Sequence, residues 1–106
     1  MPNENSFQAK FIKDLQALLP DAIIIKNDPN YIQGMPDLLI LYKDRWAAVE
    51  VKKSRDAKKR LNQEYYVDLL NRMSYSSFVH PENRERVLNE LQQALRPRGS
   101  TRISRG

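Results

Sequence analysis

The sequence predicts a mixed α/β fold in which a small sheet is flanked by helices, and three observations lead to this prediction. Apolar residues recur at three- and four-residue intervals in three stretches of the chain, which is typical of amphipathic helices. Short β-branched or aliphatic runs lie between these stretches. Pro, Gly and Asn cluster at the boundaries, as expected of turns.

The first helix is predicted over about residues 6–19, where an apolar stripe repeats with helical spacing. Pro20 ends it, because proline cannot continue the helical hydrogen bonding. Either Asn3 or Asn5 is the candidate N-cap, which places Glu4 at or just before the first turn.

Three strands are predicted next. Residues 22–25 are rich in isoleucine and bounded by turn-forming residues, which indicates a strand. Residues 37–42 and 46–52 are two apolar runs around a short polar break, and this pattern favours an antiparallel hairpin.

The second half of the chain predicts a helix over about residues 57–73, a short strand at 77–79 and a last helix over about residues 82–95. The order is therefore αβββαβα. The buried side of the middle helix is expected to carry Leu61, Tyr65, Leu69, Leu70 and Met73. Residues 1–95 are expected to form a single domain and residues 96–106 a flexible basic tail.

The composition limits both the class of protein and the kind of metal site that the chain can form. Hydrophobic residues make up 41% and charged residues 29% of the chain, which is typical of a globular domain. No apolar run approaches the roughly 20 residues of a membrane span, and the first residues lack the pattern of a secretion signal, so we expect a cytoplasmic protein. Cysteine is absent and His80 is the one histidine, so a metal would need oxygen ligands.

Positive charge is concentrated in two places. The net charge is +5, but four arginines lie in the last eleven residues, and residues 1–95 carry only +1. Within the body, a local basic run comprises Lys52, Lys53, Arg55, Lys58, Lys59 and Arg60. This run either follows a phosphate backbone or is an ordinary solvated loop.

The hairpin brings two carboxylates together. If its turn is centred between Lys43 and Asp44, Asp37 falls directly opposite Glu50, and strand alternation puts Lys52 on the same face. Opposed like charges destabilise a sheet, so either one acid is protonated or a cation lies between them. Two carboxylates, an amine and a hard divalent cation suit phosphodiester hydrolysis.

These residues resemble a known superfamily. Gly34-Met35-Pro36-Asp37, twelve further residues and then Glu50-Val51-Lys52 are similar to the core of the PD-(D/E)xK nucleases. Within that superfamily the chain looks most like the small VRR-NUC and Holliday-junction-resolvase-like nucleases of phages and bacteria. A glutamine opens the following helix in those proteins, as Gln63 does here, and the resemblance covers about residues 4–80.

The resemblance implies a restriction-endonuclease-like αβββαβ core with a mixed sheet, followed here by a C-terminal helix. It implies a deoxyribonuclease that acts in DNA repair or recombination, uses Mg²⁺ with Mn²⁺ able to substitute, cuts branched, junction or nicked DNA, and works as a homodimer. The implied metal ligands are Asp37, Glu50, the Val51 carbonyl and Glu4. The implied catalytic residues are Asp37, Glu50, Lys52 and Gln63.

Contacts with DNA are expected from Lys53, Arg55, Lys58, Lys59, Arg60, Tyr31 and Gly34. Tyr31, Tyr65 and Tyr66 either stack on bases or belong to the core. Glu4 is otherwise a charge that favours the start of a helix, and Gln63 is otherwise a surface residue. The alternative functions are a nucleic-acid-binding module that does not cut, or a protein-interaction adaptor.

Overall fold

The computed structural model describes residues 3–96, and its elements follow the predicted order. They are α1 (Glu4–Leu18), β1 (Ile23–Lys26), β2 (Leu38–Tyr42), β3 (Arg45–Val51), α2 (Leu61–Met73), β4 (Tyr75–Val79) and α3 (Arg84–Ala94). The predicted tail, apart from Arg96, lies outside the described residues, so the division at residue 95 stays a prediction.

The strands form one mixed sheet in the order β1-β2-β3-β4. The β1/β2 and β2/β3 pairs are antiparallel, whereas β3 and β4 are parallel. A two-residue turn is enough to join the antiparallel strands β2 and β3, and Lys43 in that turn adopts a positive φ of 55°. The parallel β3/β4 pair needs a longer crossover, which α2 supplies.

One face of the sheet carries the hydrophobic core. Strand alternation points the buried side chains of Leu38, Ile40, Ala47, Val49 and Val51 to the same side. They form one cluster with apolar residues of α1 and α3, among them Phe11, Leu15, Val87 and Leu91. Helices α1 and α3 therefore pack together on this face.

Helix α2 lies on the opposite face, and its predicted buried side is wrong in part, since Leu69 and Leu70 are half-buried but the other three residues are exposed. Leu61, Tyr65 and Met73 are 86%, 58% and 65% exposed, whereas Val67 is the buried residue of α2. The spacing was helical, but the helix contacts only β3 and β4 appreciably, so most of its circumference faces outward. The same face of β1 and β2 is left partly open, and Ile23 is 60% exposed.

The start of α2 also differs from the prediction. Residues 57–60 belong to the loop that follows β3, and the helix begins at Leu61. The basic run Lys52–Arg60 therefore lies on a loop and does not enter the helix. Among residues 3–96, no helix has both the length and the apolar composition needed to cross a bilayer.

Candidate active site

Asp37 and Glu50 meet at the end of the β2/β3 hairpin. The observed register pairs Leu38 with Val49, which is the register predicted from the sequence, and extending it by one residue places Asp37 opposite Glu50. Asp37 Oδ2 accepts a hydrogen bond of 2.8 Å from the backbone N–H of Val51. The Asp37 carboxylate is thus anchored to the opposite strand, beside a Glu50 side chain that is almost fully buried.

The two carboxylates lie in an environment that disfavours their charge. Burial raises the pKa of Glu50 to about 8, and the nearby Asp37 carboxylate adds to the shift while Lys52 opposes it. Burial also raises the pKa of Asp37, partly offset by the Val51 N–H and by Lys52. One ammonium is too little to balance a buried and a half-buried acid, so a further positive charge would stabilise this site.

Lys52 is held beside the acids by two hydrogen bonds. Its side chain points to the same face as Glu50 because the two residues are two positions apart on one strand. The Lys52 ammonium donates to the backbone carbonyl of Lys58 and to Gln63 Oε1, both at 2.9 Å, and lies 4.0 Å from Glu50 Oε2. The lysine is 7% exposed, so its position is fixed by these partners.

The side chain of Gln63 links the Glu50 carboxylate to the Lys52 ammonium. Its Nε2 donates to Glu50 Oε2 at 2.9 Å, while its Oε1 accepts from Lys52 Nζ and, at 3.0 Å, from the Arg60 N–H at the start of α2. One amide therefore joins Glu50, Lys52 and the helix terminus. The resemblance implied a catalytic role for Gln63, with a surface position as the alternative, and the structure places it against Glu50 and Lys52.

Asn27 positions Asp37, a role that the sequence did not predict. Its side-chain amide donates to the Pro36 carbonyl at 2.7 Å, and its backbone N–H donates to the Asp37 carbonyl at 2.8 Å. These two bonds hold the backbone that aims Asp37. The sequence signal was weak, since an asparagine after a strand usually marks a turn.

Gly34 is required by the packing of α2. It adopts a φ of +92°, and a Cβ at this position would lie 2.8 Å from the backbone and the side chain of Asn62. Contact with DNA was expected from Gly34, and the structure shows that the backbone of α2 approaches it closely. Gly34 and Asn62 both line the cleft of about 220 Å³ that contains Asp37 and Glu50.

Glu4 stands apart from the carboxylate pair. It occupies the first turn of α1, where Asn3 is the N-cap and accepts from the Ser6 N–H at 2.8 Å. Glu4 is exposed, yet its charge reaches far enough to raise the pKa of Glu50. No group of three or more acidic, histidine or cysteine side chains converges as a metal site within residues 3–96. The structure therefore brings together Asp37, Glu50 and the Val51 backbone, without Glu4.

The basic residues surround the site on two sides. Arg60 lines the cleft of Asp37 and Glu50, whereas Lys53 and Lys58 line a neighbouring cleft of about 500 Å³ with Glu4 and Lys52. Their charges flank the carboxylates, which is a suitable arrangement for an anionic polymer.

The other two basic residues of the loop bind it to the end of β4. The Arg55 N–H donates to Glu82 at 3.1 Å, and Lys59 Nζ lies 5.2 Å from the centre of the Phe78 ring. Glu82 in turn contacts His80 Nδ1 at 3.1 Å. His80 directly follows β4 and is buried.

The tyrosines occupy different positions. Tyr31 is 85% exposed on the loop before Gly34, and Tyr65 is 58% exposed on the outer side of α2 against the Tyr66 ring. Neither Tyr31 nor Tyr65 belongs to the core, which was the alternative to stacking on bases.

Comparison with known proteins supports the fold. No family profile matches the chain, and no curated protein matches it by sequence. Among solved structures, the chain is similar to a VRR_NUC domain protein with a TM-score of 0.68, over 90% of this chain and 89% of that one, at 17% identity. The chain thus shares the fold of that VRR_NUC domain protein, and the predicted fold class is confirmed.

Proposed function

We propose that this protein is a divalent-metal-dependent DNA endonuclease. The observation that carries the proposal is the pairing of half-buried Asp37 with buried Glu50 beside the Lys52 ammonium: burial disfavours the charge of both acids, and Asp37 further disfavours that of Glu50. An uncompensated carboxylate pair destabilises a fold, so its presence beside an amine indicates a binding site for a cation.

The donor set fits a hard divalent cation such as Mg²⁺, with Mn²⁺ as a substitute. The carboxylates of Asp37 and Glu50 would hold it with the Val51 carbonyl. All of these donors are oxygen atoms, which such ions prefer. When bound, the ion would polarise a phosphoryl oxygen and make a water more acidic.

Lys52 supplies the positive charge that phosphodiester hydrolysis needs. Its ammonium stabilises the charge that develops on the phosphorus oxygens and orients the attacking water. Gln63 fixes the direction of the ammonium, because its Oε1 accepts one N–H of Lys52 while its Nε2 holds Glu50. The hydrolysis proceeds without a covalent intermediate on the protein.

The proposed substrate is DNA recognised by shape. Arg60, Lys53 and Lys58 flank the carboxylates and would bind phosphates on either side of the cut. A domain of this size offers little surface for reading base sequence, so branched, junction or nicked DNA is the proposed target.

A homodimer would supply the two centres that cutting both strands of a junction needs. Sedimentation of the purified protein tests this part of the proposal. A monomer at high concentration would favour a nicking activity over junction resolution.

Incubation with radiolabelled branched, nicked and linear DNA, with Mg²⁺, Mn²⁺ or EDTA, tests the proposed activity. We expect metal-dependent cutting that Asp37→Ala abolishes. Asp68→Asn is the matched control, because Asp68 is an exposed carboxylate on α2. Absence of metal-dependent cutting on every substrate would rule out the endonuclease proposal.

A second candidate is a module that binds nucleic acid without cutting it. It is favoured by the convergence of only two carboxylates, with no third acidic side chain joining them among residues 3–96. Cation binding separates the two candidates: calorimetry with Mn²⁺ should show binding that Asp37→Ala removes if the protein is an enzyme. DNA binding that is indifferent to metal and to Asp37 would favour the module.

A further inference from the structure

A second depression lies on the same face of the sheet as the carboxylate pair. Leu39 pairs with Ala48, two residues along the strands from Asp37 and Glu50 and therefore on the same face, roughly 7 Å away. Above it is an apolar groove of about 460 Å³. Its apolar lining residues are Tyr31, Ile32, Met35, Leu39, Ala48 and Leu70.

The groove and the proposed catalytic cleft share a wall. Met35 lines both, and the loop that carries Tyr31 and Gly34 separates them. A nucleic acid strand whose phosphate lies at Asp37 and Glu50 would therefore pass within about one nucleotide of the groove. This continuity favours an occupant that also reaches the cleft.

The chemistry of the groove favours a base over a phosphate. Among residues 3–96, no lysine or arginine lines it, and the one charged lining residue is Asp28, which would repel a phosphate. The volume lies within the roughly 300–1,000 Å³ range of small-molecule sites. Tyr31, which is 85% exposed, offers an aromatic face at the rim, and base–aromatic stacking does not depend strongly on base identity.

We propose that the groove binds one unpaired nucleobase of the DNA strand that is cut, stacked against Tyr31. This inference rests on the proposed nuclease function and specifies its substrate class. Extracting a base from a duplex is least costly where the base is already unpaired. The groove would therefore select DNA with a bulge, flap or junction, and would set the cut next to the unpaired base.

The proposal is tested with short duplexes that are identical except for one unpaired 2-aminopurine. Affinity is measured in EDTA and again in Ca²⁺, so that no cutting is needed. We expect wild-type protein to bind the bulged duplex more tightly than the paired one. Tyr31→Ala should weaken binding to the bulged duplex by ~5- to 150-fold, the loss expected for one base–aromatic stack, and change binding to the paired duplex less than about twofold.

Fluorescence of the 2-aminopurine provides a second readout. Stacking on the aromatic ring should quench the signal in wild-type protein and in Tyr31→Phe, and Tyr31→Ala should restore it. Leu61→Ala is the matched control, because Leu61 is 86% exposed and does not line the groove. It should leave both the preference and the quenching unchanged.

Three results would overturn the inference. They are equal binding of bulged and paired duplexes by wild-type protein, an equal loss on both duplexes in Tyr31→Ala, and conversion of a dimer to a monomer by Tyr31→Ala, which would make a second copy the occupant. Failure of the nuclease proposal is distinguishable. If the protein prefers the bulged duplex through Tyr31 but never cuts DNA, base binding in the groove is supported and the nuclease proposal fails.

Discussion

The side-chain amide of Gln63 donates to Glu50 and accepts from Lys52, each at 2.9 Å. One residue of α2 therefore fixes both the carboxylate and the ammonium of the candidate site. The same Oε1 accepts from the backbone N–H of Arg60 at the start of the helix. The position of α2 is thereby tied to the geometry of the site, which makes Gln63 the residue through which the helix acts on Lys52.

Gln63→Ala should lower kcat about 10- to 100-fold with little change in KM, the usual effect of losing a residue that orients a catalytic group. It should also lower the free energy of unfolding by about 1 kcal/mol, because the Arg60 N–H loses its partner. Steady-state cleavage and urea denaturation measure the two effects. Gln16→Ala, on the exposed side of α1, is the control and should change neither. An unchanged kcat would show that Lys52 does not depend on Gln63.

Lys53→Ala and Lys58→Ala should weaken DNA binding without changing the rate of the bound complex. Both residues are exposed beside the Glu4 cleft, where they are placed to neutralise phosphates. Each substitution should reduce the slope of log K against log salt by about 1. Fluorescence anisotropy over a salt series measures this slope. Lys10→Ala, at an exposed site on α1, should leave it unchanged, and equal slopes for all three variants would remove this loop from the DNA interface.

Gly34→Ala should destabilise the protein by about 2–4 kcal/mol. The φ of +92° is unfavourable for residues with a Cβ, and the added atom would lie 2.8 Å from Asn62. Asn62→Ala should not rescue it, because the backbone carbon of Asn62 is as close as its side chain. Urea denaturation of the single and double variants tests both statements. A loss below about 0.5 kcal/mol would mean that the loop moves away from α2 easily.

The hairpin was predictable because its register follows from a local feature. Once the turn is centred between Lys43 and Asp44, every rung is fixed, including that of Asp37 and Glu50. The αβββαβα order was equally readable, since α1 and α3 both bury an apolar stripe against the same face of the sheet. In both cases the residues that come into contact follow from the periodicity of the strand or helix that carries them.

The orientation of α2 was not predictable in the same way. Periodicity predicted that Leu61 and Tyr65 are buried. Instead, Gln63 donates a hydrogen bond to Glu50 and accepts one from Lys52, which turns that end of the helix toward the site and leaves both apolar residues exposed. The role of Asn27 was hidden for a related reason: its two bonds reach Pro36 and Asp37 across the β1/β2 connection, which no local pattern reveals.

Glu50→Gln should abolish cutting and, at alkaline pH, stabilise the fold. The pKa of Glu50 is raised from an ordinary value of 4.5 to about 8, so the folded protein retains a proton that the unfolded chain releases. Between these two pH values the wild-type free energy of unfolding therefore falls as pH rises, and the loss is complete above the upper value. Glutamine carries no charge and still accepts a hydrogen bond from Gln63. The free energy of unfolding of the variant therefore does not fall in this way as the pH rises.

The stability difference between Glu50→Gln and wild type should be near zero at acid pH and grow to about 1–3 kcal/mol at alkaline pH. Urea denaturation across that range measures it, with Asp68→Asn as the control because Asp68 is an exposed acid. Added Mg²⁺ should raise wild-type stability most at alkaline pH and Glu50→Gln much less, since the variant has lost one carboxylate of the pair. A difference that does not vary with pH would mean that Glu50 is ionised in the folded protein without cost, and the case for a cation beside it would lose its electrostatic basis.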